Sequence, residues 1–242
     1  MEALKVKIVK IGASRHTDIW KFVDKIKKTP NYSKILKITE VTEVDLPDAD
    51  CYGWSFSKES LAHKVTVNES VDIAIGFIDQ PFSDNYFAHR LTDNTGIVSF
   101  FEIDNIFADA NVNEKNFLLL MIYESVLIYY TKANIIRDIH HDDIRSCLFD
   151  MCGNKKDIIQ SATSPCICYQ CENTLRKQEL PKGLLDTLKQ ELKRIKKPLF
   201  FRIKDWVKAH PILSLLVTFM SSVIINVISS FIYDALKLLS EK

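Results

Sequence analysis

The stretch LKVKIVKIGASRHTDIWKFVDKIKK, residues 4–28, decides the fold class. Residues 4–11 alternate between apolar and lysine side chains and end at Gly12, which predicts a first strand. Residues 17–28 carry an apolar stripe at helical spacing, which predicts a helix. The stripe consists of Ile19, Trp20, Phe22, Val23 and Ile26. A strand followed directly by a helix indicates an α/β fold.

The sequence further along predicts the rest of this core. Residues 71–79 and 96–103 are strand-like runs that are apolar enough to be covered on both faces. Residues 113–132 form a strongly apolar helix that Asn113 can cap. Glu124 lies in its middle and its flanks carry no basic bias, so we favour a buried central helix over a membrane span. We therefore predict an α/β (α+β) fold with a mixed sheet and a central apolar helix.

A membrane span is predicted at the C-terminal end instead. Residues 211–233 contain no charge over 23 positions, which matches a hydrocarbon core of about 30 Å. A buried helix of a soluble domain is the alternative. The predicted organisation is an α/β domain (1–138), a zinc-binding segment (139–180), a basic amphipathic juxtamembrane segment (183–209) and a transmembrane helix (211–233). The basic segment is one helix, or two that are broken at Pro198.

Charge is distributed unevenly along the chain. Residues 182–208 hold nine Lys and Arg against three acidic residues, a local charge of +6, whereas the whole chain has +1. The positive-inside rule then predicts a single-pass protein of the cell membrane with a cytoplasmic N-terminal domain. Anionic lipids are the expected partner, at about 1 kcal/mol for each nearby cation. The residues predicted to contact lipid are Lys193, Arg194, Lys196, Lys197, Arg202, Lys204 and Lys208. A solvated charged helix is the alternative.

Cysteines are concentrated in one segment: five of the six lie between positions 147 and 171. Together with an N-terminus that lacks a cleavable apolar core, this favours a reducing compartment and a metal. Cys147 and Cys152, followed by Cys168 and Cys171, have the spacing of a tetrahedral four-sulfur zinc site. Such a site has no position for water, so we predict one structural zinc ion per chain. Cys166 is an alternative ligand to Cys168, and disulfides or free thiols are the alternative to a metal.

Two histidines precede these cysteines in the stretch HHDDIRSC, residues 140–147. Adjacent histidines on a helix point about 100° apart, and the chain has no HExxH motif. We expect these residues to position the cysteine segment, for example by hydrogen bonds to thiolates. The alternative is a second, catalytic metal site that uses Glu124, His140, His141 and Asp143.

The cysteine pattern resembles that of archaemetzincins, in which HExxHxxGxxH runs into CxxxxC and a later CxxC completes a four-cysteine zinc site. Cys147 to Cys152 and Cys168 to Cys171 match that arrangement. If Glu124 is aligned with the family's glutamate, however, Tyr123 and Leu127 occupy two histidine positions. The resemblance therefore implies a degenerate peptidase-like fold of which only the cysteine zinc ligands are kept.

The arrangement of domains is also similar to that of membrane effectors in prokaryotic immune systems, such as those built on short Argonautes. This resemblance implies a non-enzymatic effector or adaptor that perturbs or depolarises the inner membrane on a signal from a cytoplasmic partner protein. An immune-complex subunit is one such partner, and homo-oligomers could form through the span. The alternative function is a membrane-tethered zinc metallopeptidase. No direct contact with nucleic acid is expected, because the chain outside the basic segment is acidic.

Overall fold

The computed structural model describes residues 2–131 and 139–240. Within these ranges the core is one five-stranded sheet in the order β2-β1-β3-β5-β4. The strands are β1 (Leu4–Ile11), β2 (Leu36–Val44), β3 (Ile73–Ile78), β4 (Ala88–Arg90) and β5 (Thr95–Ser99). All neighbours are parallel except β4, which pairs antiparallel with β5 at the edge of the sheet.

The predicted strands and helix of the first hundred residues are confirmed in type, and one boundary is wrong. The third predicted strand, 96–103, ends at Ser99. Glu102 has a left-handed backbone with a φ of 67°, and the chain enters a helix at Ile103. Strand β2 was not predicted. It is an edge strand in which threonine and glutamate alternate with apolar residues, and its second half is only half buried.

Nine α-helices are described within residues 2–131 and 139–240. They are α1 (Thr17–Lys28), α2 (Lys58–Ala62), α3 (Ile103–Ala110), α4 (Glu114–Tyr130), α5 (Ile158–Thr163), α6 (Tyr169–Arg176), α7 (Leu184–Leu192), α8 (Leu199–Ala209) and α9 (Pro211–Ser240). Helix α4 is the predicted central helix: Asn113 caps it, and nearly all its residues from 116 to 123 are buried. The predicted α/β fold with a mixed sheet and a central apolar helix is therefore confirmed.

A smaller core fills the opposite face of the sheet, under α2 and the loops around it. Gly76 in β3 is required here, because a Cβ atom at this position would lie 2.5 Å from Cγ2 of Val65 and 3.0 Å from Cδ1 of Ile11.

Two buried polar residues fasten the helices to the sheet. The side chain of His16 is 4% exposed, and its Nδ1 lies 2.7 Å from Glu114 Oε2 at the start of α4. Burial acts to lower the pKa of His16, but the Glu114 hydrogen bond and the charges of Asp79 and Asp104 outweigh it and raise that pKa.

Glu191 of α7 is the second of these residues. Its carboxylate accepts hydrogen bonds from Ser33 Oγ (2.6 Å), the Lys34 backbone N–H (2.7 Å) and the Tyr123 hydroxyl (2.9 Å). Helix α7 is thereby joined to both α4 and the chain that leads into β2.

By its contacts the chain divides into two compact units, residues 1–197 and 198–242. The first unit holds the sheet and includes α7, whose apolar side is buried. The second contains α8 and α9, which meet at Pro211. Residues Pro211–Tyr233 are long and apolar enough to span a bilayer, with a mean hydropathy of 2.2, and none of this segment is buried. The predicted boundary at residue 138 lies outside the described residues.

Candidate metal centre

The segment around Cys147 is folded by two short backbone bridges, between His141 and Asp150 and between Cys147 and Cys166. The Leu148 N–H donates to the Cys166 carbonyl at 2.8 Å, and the Cys166 N–H donates to the Ser146 carbonyl at 2.8 Å. These bridges bring two stretches that are some twenty positions apart in sequence side by side. Cys168 follows at the start of α6, where its Sγ accepts from the Cys171 N–H at 3.5 Å.

Four potential metal ligands meet at this point: His141, Cys147, Cys168 and Cys171. Their ligand atoms all lie within 4.8 Å of one another. The Cys168 N–H donates to Cys147 Sγ at 3.3 Å, and His141 Nε2 lies 3.5 Å from Cys168 Sγ. Cys147 and Cys171 are buried, and the other two side chains are half buried. The arrangement is compact and is largely shielded from water.

His141 is held so that one ring nitrogen faces the sulfur atoms. Its Nδ1 lies 2.8 Å from the Asp143 carbonyl oxygen and 3.4 Å from Asp150 Oδ1, so this nitrogen carries the proton and donates it. Nε2 is then left with a lone pair directed at the cluster. A carbonyl or carboxylate that fixes the tautomer in this way is the usual companion of a metal-bound histidine.

The buried Asp150 side chain holds the loop around Cys147 in place. It is a buried carboxylate that accepts hydrogen bonds from the Cys147 N–H at 2.9 Å, the Arg145 N–H at 3.1 Å and the Ser161 hydroxyl at 2.9 Å. A buried anion with this many donors fixes the loop geometry. Asp150 was not predicted as a site residue, because an aspartate between two cysteines carries no sequence signal of its own.

Two thiol groups of the cluster, Cys147 and Cys171, have pKa values shifted in opposite directions. The hydrogen bond from Cys171 lowers the pKa of Cys147 to about 5. The same bond raises the pKa of Cys171, because Cys171 holds the shared proton. Burial acts to lower the pKa of His141, but hydrogen bonds with Cys147 and the Asp143 carbonyl raise it overall. Thiolate at low pH and crowded sulfur atoms are the electrostatics of a site that suits a divalent cation.

The donor set fits zinc. Three thiolates and one imidazole form a tetrahedral set that Zn(II) commonly takes in proteins. Four protein ligands fill a tetrahedron and leave no open position for water. The cluster is therefore suited to hold a chain together and not to activate a water molecule.

One predicted ligand is corrected. Of the four cysteines predicted as ligands, Cys147, Cys168 and Cys171 lie in the cluster, Cys152 does not, and His141 is the fourth member. Cys152 has a left-handed backbone with a φ of 48°, and burial raises its pKa to about 12. The alternative ligand Cys166 is exposed, and its Sγ donates to the Arg145 carbonyl at 3.6 Å, outside the cluster.

The four residues of the alternative catalytic site do not meet. Glu124 Oε1 lies 3.2 Å from His140 Nε2, next to a cavity of about 80 Å³ between α4 and strands β3, β4 and β5. His141 belongs to the cysteine cluster. Asp143 is exposed and pairs with Arg145 at 2.8 Å. Of these four residues, the Glu124 and His140 side chains are the two that the described ranges bring together outside the cysteine cluster.

The basic residues predicted to contact lipid lie on both sides of Pro198. Lys193, Arg194 and Lys196 are exposed, and Lys197 is half buried, after the end of α7. The other three are exposed on α8: Arg202, Lys204 and Lys208.

Comparison with known protein families found no match, and no curated protein matches the chain. Solved structures are similar in fold. An archaemetzincin from Methanopyrus kandleri has a TM-score of 0.46 at 14% identity, over 73% of this chain and 95% of its own. An archaemetzincin from Archaeoglobus fulgidus, complexed with malonate, has a TM-score of 0.47 at 10% identity, over 70% of this chain and 99% of its own.

Proposed function

We propose that the chain is a membrane-anchored effector or adaptor whose α/β unit is braced by one structural zinc ion. The observation that carries this proposal is the closed set of four ligands, His141, Cys147, Cys168 and Cys171, in a chain that also holds an apolar helix of 23 residues. The first feature stabilises a fold, and the second attaches a protein to a bilayer.

Zinc in this cluster fastens residues 139–171 to the rest of the first unit. The Cys171 thiol lies 3.0 Å from the Ile139 carbonyl, so the ion would tie the start of this segment to α6. Binding free energy at such a site is folding free energy, because the unfolded chain has no preformed site. The ion would act as a brace with no role in chemistry.

The basic residues next to the first unit attract it electrostatically to an anionic leaflet. The Arg194 guanidinium donates to the Tyr32 carbonyl at 3.0 Å. Tyr32 in turn lines a pocket of about 310 Å³ together with Lys27, Lys28 and Lys37. This clustering of cations extends the predicted lipid contacts from residues 193–208 to the surface of the α/β unit. With residues 211–233 as a single span, the positive-inside rule orients the first unit toward the cytoplasm.

Association of spans is the step by which such a protein would disturb the bilayer. On α9 the hydroxyls of Ser221, Ser222 and Ser230 donate to carbonyls one turn earlier, at 2.7, 3.0 and 3.1 Å. These hydroxyls are satisfied within their own helix. Within the part of the chain that the structure describes, Asn226 makes no such bond, and an amide in hydrocarbon favours pairing with another helix. We infer that a partner protein triggers this association and that depolarisation follows, as in anti-phage membrane effectors.

Membrane potential on induced expression tests the proposal. We expect a potential-sensitive dye to report depolarisation with the full chain and none with a chain that ends at residue 210. A matched variant, Asn226→Leu, keeps an uncharged span of the same length but removes the amide, and we expect it to depolarise less. Undiminished depolarisation by the chain without residues 211–242 would contradict the membrane mechanism.

A membrane-tethered metallopeptidase is the second candidate, because Glu124 and His140 lie 3.2 Å apart at the edge of a cavity. This reading requires a second metal and thus two zinc ions per purified chain. The effector reading requires one. Metal analysis of the purified protein separates the two, since one zinc ion that is lost on Cys147→Ser argues against the peptidase.

A further inference from the structure

Two large aromatic side chains stand in solvent at the tip of a short hairpin, residues 51–55. Tyr52 is 90% exposed and Trp54 is 58% exposed. The hairpin is closed by paired backbone hydrogen bonds between Cys51 and Ser55, at 3.1 and 3.0 Å. Tyr52 has a φ of 49°, a conformation that side-chain-bearing residues seldom adopt. Strain of this kind persists where the surroundings fix it, often at a functional surface.

The base of the hairpin is rigid. Asp50 accepts hydrogen bonds from the Ser57 N–H at 2.8 Å and the Ser60 hydroxyl at 3.2 Å, so both strands of the hairpin are anchored at the start of α2. Phe56, 3% exposed, is buried in the smaller core. The Trp54 ring also leans on Phe101, with ring centroids 5.7 Å apart. The aromatic tip is therefore presented in one conformation, and little ordering cost remains for a partner.

The surroundings of this tip are acidic. Residues 40–59 hold six acidic residues against one lysine, a net charge of −5. Asp45 and Asp48 are exposed, and neither makes an ion pair within residues 2–131 and 139–240. The depression beyond Phe101 carries charges of both signs, because Asp84, Glu102 and Asp109 line it together with Lys155 and Lys156, so the net negative charge belongs to residues 40–59. Phosphate groups of nucleic acids or lipids would be repelled here, whereas cations would be attracted.

We propose that the 51–55 hairpin is a docking site for a partner protein that presents arginine or lysine side chains. A guanidinium stacks on tryptophan and tyrosine faces, and the carboxylates around the tip neutralise its charge. Exposed Trp and Tyr on a rigid support are the side chains that dominate protein interfaces. The inference deepens the proposed function by naming the surface that receives the partner, and it rests on that function only for the existence of a partner.

Peptide titration of the full chain in uncharged detergent tests the site without any lipid. The probes are three fluorescent octapeptides in which glycine alternates with one charged residue: arginine in the first, lysine in the second and glutamate in the third. We expect the arginine peptide to bind most tightly and the glutamate peptide least. Trp54→Ala and Tyr52→Ala should each weaken arginine-peptide binding about 2- to 5-fold, and Trp54→Phe should retain more of it than Trp54→Ala.

Tyr169→Ala is the matched control, because Tyr169 is another aromatic residue that is 82% exposed. It should leave the titration unchanged. Equal loss in all three alanine variants, or a glutamate peptide, RNA or anionic vesicle whose binding depends on Trp54, would overturn the proposal. Tyr52→Ala removes a side chain that stands in solvent, so its result stands even where Trp54→Ala perturbs Phe101. Membrane depolarisation reads a different property, and either proposal can therefore fail alone.

Discussion

Replacement of His141 by alanine separates the ligand set of the structure from the four-cysteine set that spacing suggested. Structural zinc sites contribute about 10–16 kcal/mol of apparent binding free energy, or about 3 kcal/mol for each of four ligands. Loss of His141 Nε2, 3.5 Å from Cys168 Sγ, should therefore lower zinc affinity about 100-fold. Competition with a chelator of known affinity measures this change, and mass spectrometry of the metal gives the stoichiometry.

Cys152→Ser is the matched control for this experiment. Cys152 lies outside the cluster, so its replacement should leave zinc affinity within about 3-fold and the stoichiometry at one ion per chain. A serine at this buried position lowers the free energy of unfolding somewhat. Chelator competition measures zinc affinity and so distinguishes that effect from loss of the metal. The reasoning is refuted if Cys152→Ser releases zinc while His141→Ala keeps it.

Three further predictions concern the folded core. The raised pKa of His16 means that its stabilisation is complete below about pH 6.5 and is lost as pH rises through the folded pKa, so urea unfolding should show this fall in the wild type and not in His16→Gln. Glu191→Ala leaves three donors without their acceptor, two of them buried, and should cost about 3 kcal/mol in the same assay, whereas Glu179→Ala, at an exposed position, should cost under about 0.5 kcal/mol. Gly76→Ala places a Cβ 2.5 Å from a neighbouring methyl group and should destabilise by about 1–3 kcal/mol.

The regular part of the fold was predictable because its pattern is local. Strand β1, helix α1 and helix α4 each show their period or their apolar run within one window of sequence. Strand β2 is different: its second half is only half buried at the sheet edge, so its pattern of threonine and glutamate carries little apolar signal. The end of β5 was missed because the left-handed turn at Glu102 has no glycine to announce it.

The metal ligands show the limit of spacing as an argument. Two cysteines five positions apart can reach one ion only when the chain between them turns in the right direction. Here the loop between the two cysteines folds back, because the Asp150 carboxylate accepts hydrogen bonds from the Cys147 and Arg145 N–H groups. The backbone bridge between His141 and Asp150 then places the histidine next to the three cluster cysteines, where Cys152 had been expected. Both effects depend on the folded loop, so they cannot be predicted from the number of residues between the cysteines.

The cluster and the basic segment are linked through packed contacts within the first unit. Cys168 caps the start of helix α6, and Glu172 of that helix pairs with Lys189 of α7 at 2.8 Å. Glu191, two residues further on, is bonded to the chain that leads into β2 and to α4. A metal that orders Cys168 and Cys171 therefore also supports α7, the last helix before the chain leaves this unit at Lys197. A structural ion at this place would do more than stabilise a loop, because α7 carries the first part of the basic segment.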